Sequence, residues 1–145
     1  MPYSPMLVRP MREELAAAGF EELMTADQVN RLLDEKQGTT LVVVNSVCGC
    51  AAGMARPGAR LAIQQTPRPD RLATVFAGQD MEATAQARAR FGPIPPSSPS
   101  MALFKDGELV WFLPRHRIEG RDALAVAADL KAAFAAHCVP VAVAG

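Results

Sequence analysis

The stretch LVVVNSVCGCAAGMARPG, residues 41–58, joins a run of apolar β-formers to two cysteines separated by one glycine. The run 39–47 is rich in β-branched residues and shows no polar alternation before Asn45, which is typical of a strand buried on both faces. The segment 48–65 then returns to a helical composition. The sequence therefore predicts that Cys48 lies where a buried strand ends and a helix begins.

The rest of the chain extends this pattern in both directions. Helices are predicted over Met6–Ala18, Ala26–Lys36, Asp80–Phe91 and Ile118–His137, and strands over Leu72–Ala77, Met101–Phe104 and Leu109–Leu113. The last two strands flank an Asp-Gly pair, a strong hairpin signal. From residue 39 the order is β-α-β-α-β-β-α, and a right-handed crossover makes the first two strands parallel. This is the order of a thioredoxin-like core, so we predict an α/β fold with a mixed sheet and two extra N-terminal helices.

Length and composition favour one domain spanning residues 1–145. Within it we expect an N-terminal helical extension over 1–38, a redox core over 39–138 and a short tail over 139–145. Half of the residues are hydrophobic, and fifteen basic residues balance fifteen acidic ones. A nucleic-acid or anionic membrane surface would normally show a basic excess, so neither partner is expected.

The setting predicted for the chain is the cytoplasm. Its first residues show no signal-peptide pattern, and no apolar stretch approaches the ~18 residues needed to span a bilayer. Thiols are kept reduced in the cytosol, where close cysteine pairs more often serve redox or metal chemistry than hold a fold together.

The cysteine pair itself leaves three interpretations open. Cys48 and Cys50 could be small buried hydrophobes, or two thiolate ligands of a metal site completed by His137 and Cys138. The third interpretation is redox chemistry, because the N-terminus of a helix stabilises a thiolate and lowers the cysteine pKa. Gly49 would let the backbone leave ideal helix geometry, and a disulfide between residues two apart would be distorted and easily reduced.

Four motifs, GTTLVVVNSVCGCAAGMARP, FAGQD, PSSPSMAL and PRHRIEG, are similar to those of the bacilliredoxins, thioredoxin-fold proteins with a C-G-C motif. The resemblance runs from about Met11 to Cys138. It implies removal of the small thiol bacillithiol from mixed disulfides on oxidised proteins, with weak disulfide-isomerase activity also in character. It further implies that Cys48 attacks and Cys50 resolves. Bacillithiol would be a co-substrate, and we expect no bound metal or permanent organic cofactor.

Several further residues are expected to support the pair. Thioredoxin-like folds keep a cis proline facing the redox cysteines, and Pro99 is the counterpart here. Asn45 and Ser46 form a polar break that can hydrogen-bond the turn or the thiolate. The candidate contacts for the thiol ligand are Arg115, His116, Arg117 and Gln79. Asp80 is explained as a helix cap, Arg56 can face either the site or solvent, and Cys138 is expected to be a packed or surface thiol.

Two other functions compete with the leading one. A general thioredoxin-like reductase or isomerase would act on protein disulfides, although the chain lacks the C-x-x-C spacing of an efficient reductase. A metal-binding module would use the C-G-C thiolates instead. For partners we expect bacillithiolated proteins and a low-molecular-weight thiol, and a homodimer if the chain associates.

Overall fold

The computed structural model of the chain describes residues 2–139, so residues 140–145 of the expected tail lie outside the described part. Its helices are α1 (Pro5–Ala17), α2 (Ala26–Leu33), α3 (Arg56–Ala62), α4 (Met81–Phe91) and α5 (Ala123–His137). Its strands are β1 (Glu21–Glu22), β2 (Thr39–Asn45), β3 (Arg71–Phe76), β4 (Ser100–Lys105) and β5 (Glu108–Leu113). A π-helical turn, Ala51–Ala55, precedes α3, and a 3-10 turn, Arg115–Arg117, follows β5.

The strands form a mixed sheet in the order β1-β3-β2-β4-β5. At its centre, β2 runs parallel to β3 and antiparallel to β4, so that Val43 lies opposite Thr74 on one side and Met101 on the other. All seven residues of β2 are buried, as the uninterrupted apolar run predicts. The thioredoxin-like order and the mixed sheet are confirmed.

Helices cover both faces of the sheet because alternate residues of β2 point to opposite sides. Leu41 and Val43 pack into the core beneath α3 and α5, and Val42 and Val44 pack into the core beneath α2 and α4. At Gly58 a side chain would lie 2.7 Å from a methyl carbon of Val126, so this glycine lets α3 approach α5 closely. The result is a three-layer α/β/α arrangement that leaves the end of β2 at the edge of the sheet.

The structure adds one strand to the prediction and corrects two predicted helix boundaries. β1, which pairs with β3, was not predicted, because two consecutive glutamates carry no strand signal. α2 ends at Leu33 rather than Lys36, three residues earlier than predicted. α5 begins at Ala123 rather than Ile118, because Gly120 adopts a left-handed backbone with φ +77° and Asp122 caps the helix through the N–H of Ala125 at 2.8 Å. Among residues 2–139 no helix is both long and apolar enough to cross a membrane.

Candidate active site

Cys48 lies at the junction that the sequence predicts. β2 ends three residues before it, and its carbonyl accepts hydrogen bonds from the N–H groups of Ala51 at 3.1 Å and Ala52 at 3.2 Å, which opens the following helix. The first N–H groups of a helix have no partner within the helix, so they are available to a side chain at this position. The fold thus places a sulfur atom beside backbone donors.

The Ser46 hydroxyl is the closest side-chain partner of that sulfur. Ser46 Oγ lies 3.2 Å from Cys48 Sγ and accepts a hydrogen bond from the Cys48 backbone N–H, also at 3.2 Å. Burial raises the pKa of the Cys48 thiol, but Ser46, the N–H groups of Ala51 and Cys50, and the positive charge of Arg115 together outweigh it. The pKa of Cys48 therefore lies below its ordinary value, and its thiolate is favoured.

Cys48 and Cys50 are both free thiols and both half-buried. Neither is clearly the more covered of the two. What distinguishes them is the surroundings of the sulfur, because the Ser46 hydroxyl contacts Cys48. Local hydrogen bonding, rather than exposure, marks Cys48 as the candidate nucleophile.

The helix that begins after Cys48 is widened before it becomes regular. Pro57 has no N–H and its ring would clash with the carbonyl four residues earlier, so a regular α-turn is disfavoured there. The turn Ala51–Ala55 is π-helical, and the N–H of Arg56 bonds back to the Ala51 carbonyl. Pro57 thus follows a widened turn, which accommodates its ring and its missing N–H.

A buried arginine, Arg56, stabilises the segment that joins β2 to Cys48. Arg56 is only 4% exposed, and its Nη1 donates to Asn45 Oδ1 at 2.9 Å and to the Ser46 carbonyl at 3.0 Å. Asn45 Oδ1 also accepts the Ser46 N–H at 2.9 Å. Glu14 of α1 balances the charge, since its Oε1 lies 2.9 Å from Arg56 Nε. Arg56 therefore faces neither the site nor solvent, and it holds the backbone that carries Ser46.

The loop before β4 closes the other side of the site. The Ser98–Pro99 peptide bond is cis, and so is Thr66–Pro67 elsewhere in the chain. Arg115 reaches this loop: its Nη1 donates to the Ser98 carbonyl at 3.2 Å, and its Nε donates to Glu119 Oε2 at 3.1 Å. These bonds orient a guanidinium group whose charge acts on the Cys48 sulfur.

Together these elements enclose an open cleft of about 300 Å³ that includes Cys48. The residues lining it come from six segments of the chain and include two arginines and no acidic side chain. They are Tyr3, Ser46, Val47, Cys48, Ala77, Gly78, Arg88, Ser98 and Arg115. Neither Tyr3 nor Arg88 is predicted from the sequence to belong to the site. Arg88 could have been found, because it falls on the α4 face that carries the buried Thr84 and Phe91.

None of the other three candidate ligand contacts lines this cleft. His116 and Arg117 line a separate cleft between β5 and α5, and Gln79 is not among the residues that line the Cys48 cleft. Of the four candidates, Arg115 alone lines that cleft; the roles of all four as ligand contacts stay predictions.

Asp80 does not cap α4 with its side chain. Although it occupies the N-cap position of α4, the side chain makes no capping hydrogen bond. The carboxylate instead pairs with both Nη atoms of Arg12, at 2.7 and 2.8 Å. Its assignment as a side-chain cap was wrong, because a charged partner on α1 competes for the same oxygens.

The third cysteine is remote from the pair. Cys138 is buried, burial raises its pKa, and Thr39 hydrogen-bonds to its side chain. Thr39 begins the seven-residue β2, which spans about 20 Å, and Cys48 follows the opposite end.

His137 lines the cleft beside β5. Within residues 2–139 no group of three or more His, Cys, Asp or Glu side chains is arranged to hold a metal ion.

Comparison with known proteins identifies the family of the chain. A family model described as disulphide isomerase matches residues 3–138. The bacilliredoxin from Halalkalibacterium halodurans is 53% identical over 136 residues, covering 94% of each chain. The bacilliredoxin from Bacillus cereus strain ATCC 14579 is 54% identical over 137 residues, covering 94% of this chain and 95% of that one.

Solved structures agree on the fold. Fasciola hepatica thioredoxin superposes with a TM-score of 0.58 at 22% identity, covering 81% of this chain and 99% of that one. The thioredoxin of Malassezia sympodialis superposes with a TM-score of 0.54 at 14% identity, covering 82% and 90%. The family match, the fold and the thiolate-favouring position of Cys48 lead to one conclusion: the chain belongs to the bacilliredoxin family and is a thiol-disulfide oxidoreductase with a thioredoxin-like fold.

Proposed function

We propose that this protein removes bacillithiol from mixed disulfides on oxidised cytoplasmic proteins. The proposal rests on the surroundings of Cys48. This residue is half-buried, its sulfur contacts the Ser46 hydroxyl, and it lies in a cleft lined by two arginines. Thiol exchange needs an accessible thiolate, and this position favours one. The curated relatives named bacilliredoxin support the choice of small thiol.

The chemistry proceeds in two exchanges. The Cys48 thiolate attacks the bacillithiol sulfur of the mixed disulfide, a new S–S bond forms, and the substrate protein leaves as a thiolate that takes up a proton. The Cys50 thiolate then attacks the Cys48 sulfur and releases bacillithiol as a thiol. The pair ends as a disulfide, and a dithiol reductant must supply two electrons to restore it. Bacillithiol is a co-substrate in this scheme, and no bound cofactor or metal takes part.

Mass spectrometry of the reaction mixture tests this scheme directly. The reduced protein is mixed with a carrier protein that bears one bacillithiol on a single cysteine, and the reaction is stopped by acid. We expect the carrier to lose the bacillithiol mass and the Cys50→Ala variant to gain it on Cys48. A carrier that keeps its adduct in the presence of the wild-type protein would contradict the proposal.

A second candidate is disulfide isomerisation or reduction on proteins, and the description of the matching family model favours it. Refolding of a scrambled protein with several disulfides measures this activity. If isomerisation is fast and bacillithiol removal is undetectable, the second candidate replaces the first. We also propose that the chain, if it associates, forms a homodimer, which size-exclusion chromatography with light scattering tests.

A further inference from the structure

Arg88 carries a guanidinium group that nothing among residues 2–139 neutralises. Its Nε atom is closed off from solvent and has no hydrogen-bond partner within this part of the chain. Six other arginines of the described chain form ion pairs with carboxylates, namely Arg12, Arg56, Arg60, Arg90, Arg115 and Arg121. Arg88 forms none of the described ion pairs, and burial lowers its pKa. A partly buried cation without a partner is costly to fold.

The position of Arg88 suggests why that cost is retained. Arg88 lines the same cleft as Cys48, together with Arg115 and without any aspartate or glutamate. Arg115 already shares its charge with Glu119 and donates to the Ser98 carbonyl. Of the two cations, Arg88 therefore has fewer ion-pair and hydrogen-bond partners within the described chain. In a chain of zero formal net charge, the cleft beside the nucleophile has a local positive charge.

A guanidinium group binds carboxylates well because its planar donors match the two carboxylate oxygens. We infer that Arg88 binds a carboxylate of the small thiol whose disulfide Cys48 attacks, and so sets specificity for acidic thiols. This inference rests on the proposed function, which it extends by naming the substrate feature and the residue that reads it. Arg88 is a binding residue here, and the exchange chemistry remains with the cysteines.

A series of thiols of different charge tests the inference. One carrier protein is prepared as its mixed disulfide with mercaptosuccinate, which has two carboxylates, with 2-mercaptoethanol, which is neutral, and with cysteamine, which is cationic. We expect the wild-type protein to react fastest with the mercaptosuccinate disulfide. In Arg88→Gln that rate constant should fall about tenfold, the value of one charge-assisted hydrogen bond, while the 2-mercaptoethanol rate stays within about twofold.

Two variants make the comparison specific. Arg88→Lys keeps the charge but not the paired donors, and it should retain part of the preference for mercaptosuccinate. Arg90→Gln removes a cation from the same helix that pairs with Asp34, and the preference should be unchanged. Arg88→Gln should fold at least as stably as the wild type, since it loses no partner among residues 2–139 and removes an unpaired, partly buried charge. Should it fail to fold, Arg88→Lys alone decides the question by its preference.

The possible failures can be told apart. Equal rate constants of the wild type for the acidic and the neutral disulfides would overturn the role of Arg88 and leave the proposed function standing. An equal loss on all three disulfides in Arg88→Gln would show a structural role and overturn it too. If the wild type attacks none of the three disulfides but still removes bacillithiol from the carrier protein, the inference fails alone. If it also leaves the bacillithiol in place, the proposed function fails and the inference fails with it.

Discussion

Ser46 Oγ contacts Cys48 twice, lying 3.2 Å from its sulfur and 3.2 Å from its backbone nitrogen. The hydroxyl accepts from the N–H and can donate to the sulfur, so one side chain both shapes the turn and stabilises the thiolate. Arg56 holds the Ser46 carbonyl at 3.0 Å from the buried side. The reactivity of Cys48 therefore depends on residues that do not themselves react.

Removing the Ser46 hydroxyl should slow the reaction of Cys48 near neutral pH. In Ser46→Ala the pKa of Cys48 should rise, and its alkylation rate at pH 7 should fall about fivefold, which corresponds to the loss of ~1 kcal/mol of hydrogen bonding. Iodoacetamide labelling across a pH series, read by mass spectrometry, measures both effects. Thr74→Val removes a buried hydroxyl that bonds to the Val43 carbonyl, and it should leave labelling unchanged. If the pH at which the alkylation rate of Cys48 rises is unchanged in Ser46→Ala, Ser46 does not stabilise the thiolate.

The two cysteines should divide the reaction between them. Cys48→Ala should abolish uptake of bacillithiol, because it removes the thiolate that attacks. Cys50→Ala should still attack and hold the small thiol on Cys48 until an external thiol releases it. Cys138→Ala should transfer at nearly the wild-type rate, since Cys138 is buried beside Thr39. Intact-mass spectra of the three variants after one turnover decide the assignment, which is reversed if Cys48→Ala takes up the adduct.

Gly49 is expected to matter only when the disulfide forms. In the thiol form a side chain at Gly49 would meet no heavy atom within 4 Å, and the φ of Gly49 is not in the left-handed region. Gly49→Ala should therefore stabilise the reduced protein, by up to ~1 kcal/mol, because alanine favours helix. The same variant should weaken the Cys48–Cys50 disulfide, since closing it requires the backbone to leave helical geometry.

Gly53→Ala is the matched control for this prediction. Gly53 lies in the same helix, is exposed, and also has open space around an added Cβ. Both variants should gain stability in urea unfolding under reducing conditions. Redox titration against a thiol buffer should show a more easily reduced disulfide in Gly49→Ala and an unchanged one in Gly53→Ala. Identical potentials in the two variants would show that Gly49 has no role in closing the disulfide.

Glu14 forms ion pairs with two arginines, and the pair with buried Arg56 should contribute far more to stability than the pair with half-exposed Arg60. Arg56→Met leaves Asn45 Oδ1 and the Ser46 carbonyl without their shared donor, and it should lower the free energy of unfolding by about 3 kcal/mol. Arg60 binds the other oxygen of Glu14 but is half exposed, so Arg60→Gln should cost under ~1 kcal/mol. Urea unfolding of both variants measures the difference, and equal costs would contradict it.

Ionisation of Cys48 should also make stability depend on pH. The pKa of Cys48 is lowered on folding, so its contribution is fully present above the unfolded pKa of about 8.5 and is lost as pH falls through the folded value. The stability of the wild type relative to Cys48→Ser should thus increase between pH 6 and pH 9.5 under reducing conditions. Cys138 is present in both proteins, so any pH dependence that it contributes is the same in both and drops out of the difference. A difference that does not vary with pH would contradict the lowered pKa.

The central strand, the order of the elements after residue 39 and the place of the cysteine pair could all be predicted from the sequence. These follow from local signals: an apolar run rich in β-branched residues with no alternation is typical of a strand covered on both faces, and an Asp-Gly pair between two such runs favours a hairpin. The predicted start of α5 was wrong because a turn interrupts the helical composition between Ile118 and Ala123. There a left-handed Gly120 and the Asp122 cap decide where α5 begins.

The surroundings of the Cys48 sulfur depend on contacts between segments that are distant in sequence. Glu14 and Arg56 are 42 residues apart, and Arg12 and Asp80 are 68 apart, so no local pattern links them. Arg88 and Arg115 reach the Cys48 cleft from different elements, whereas His116 and Arg117, adjacent in sequence to Arg115, line another cleft. Local sequence encodes the position of the nucleophile through strand and helix formation, but packing of distant segments sets its charge environment.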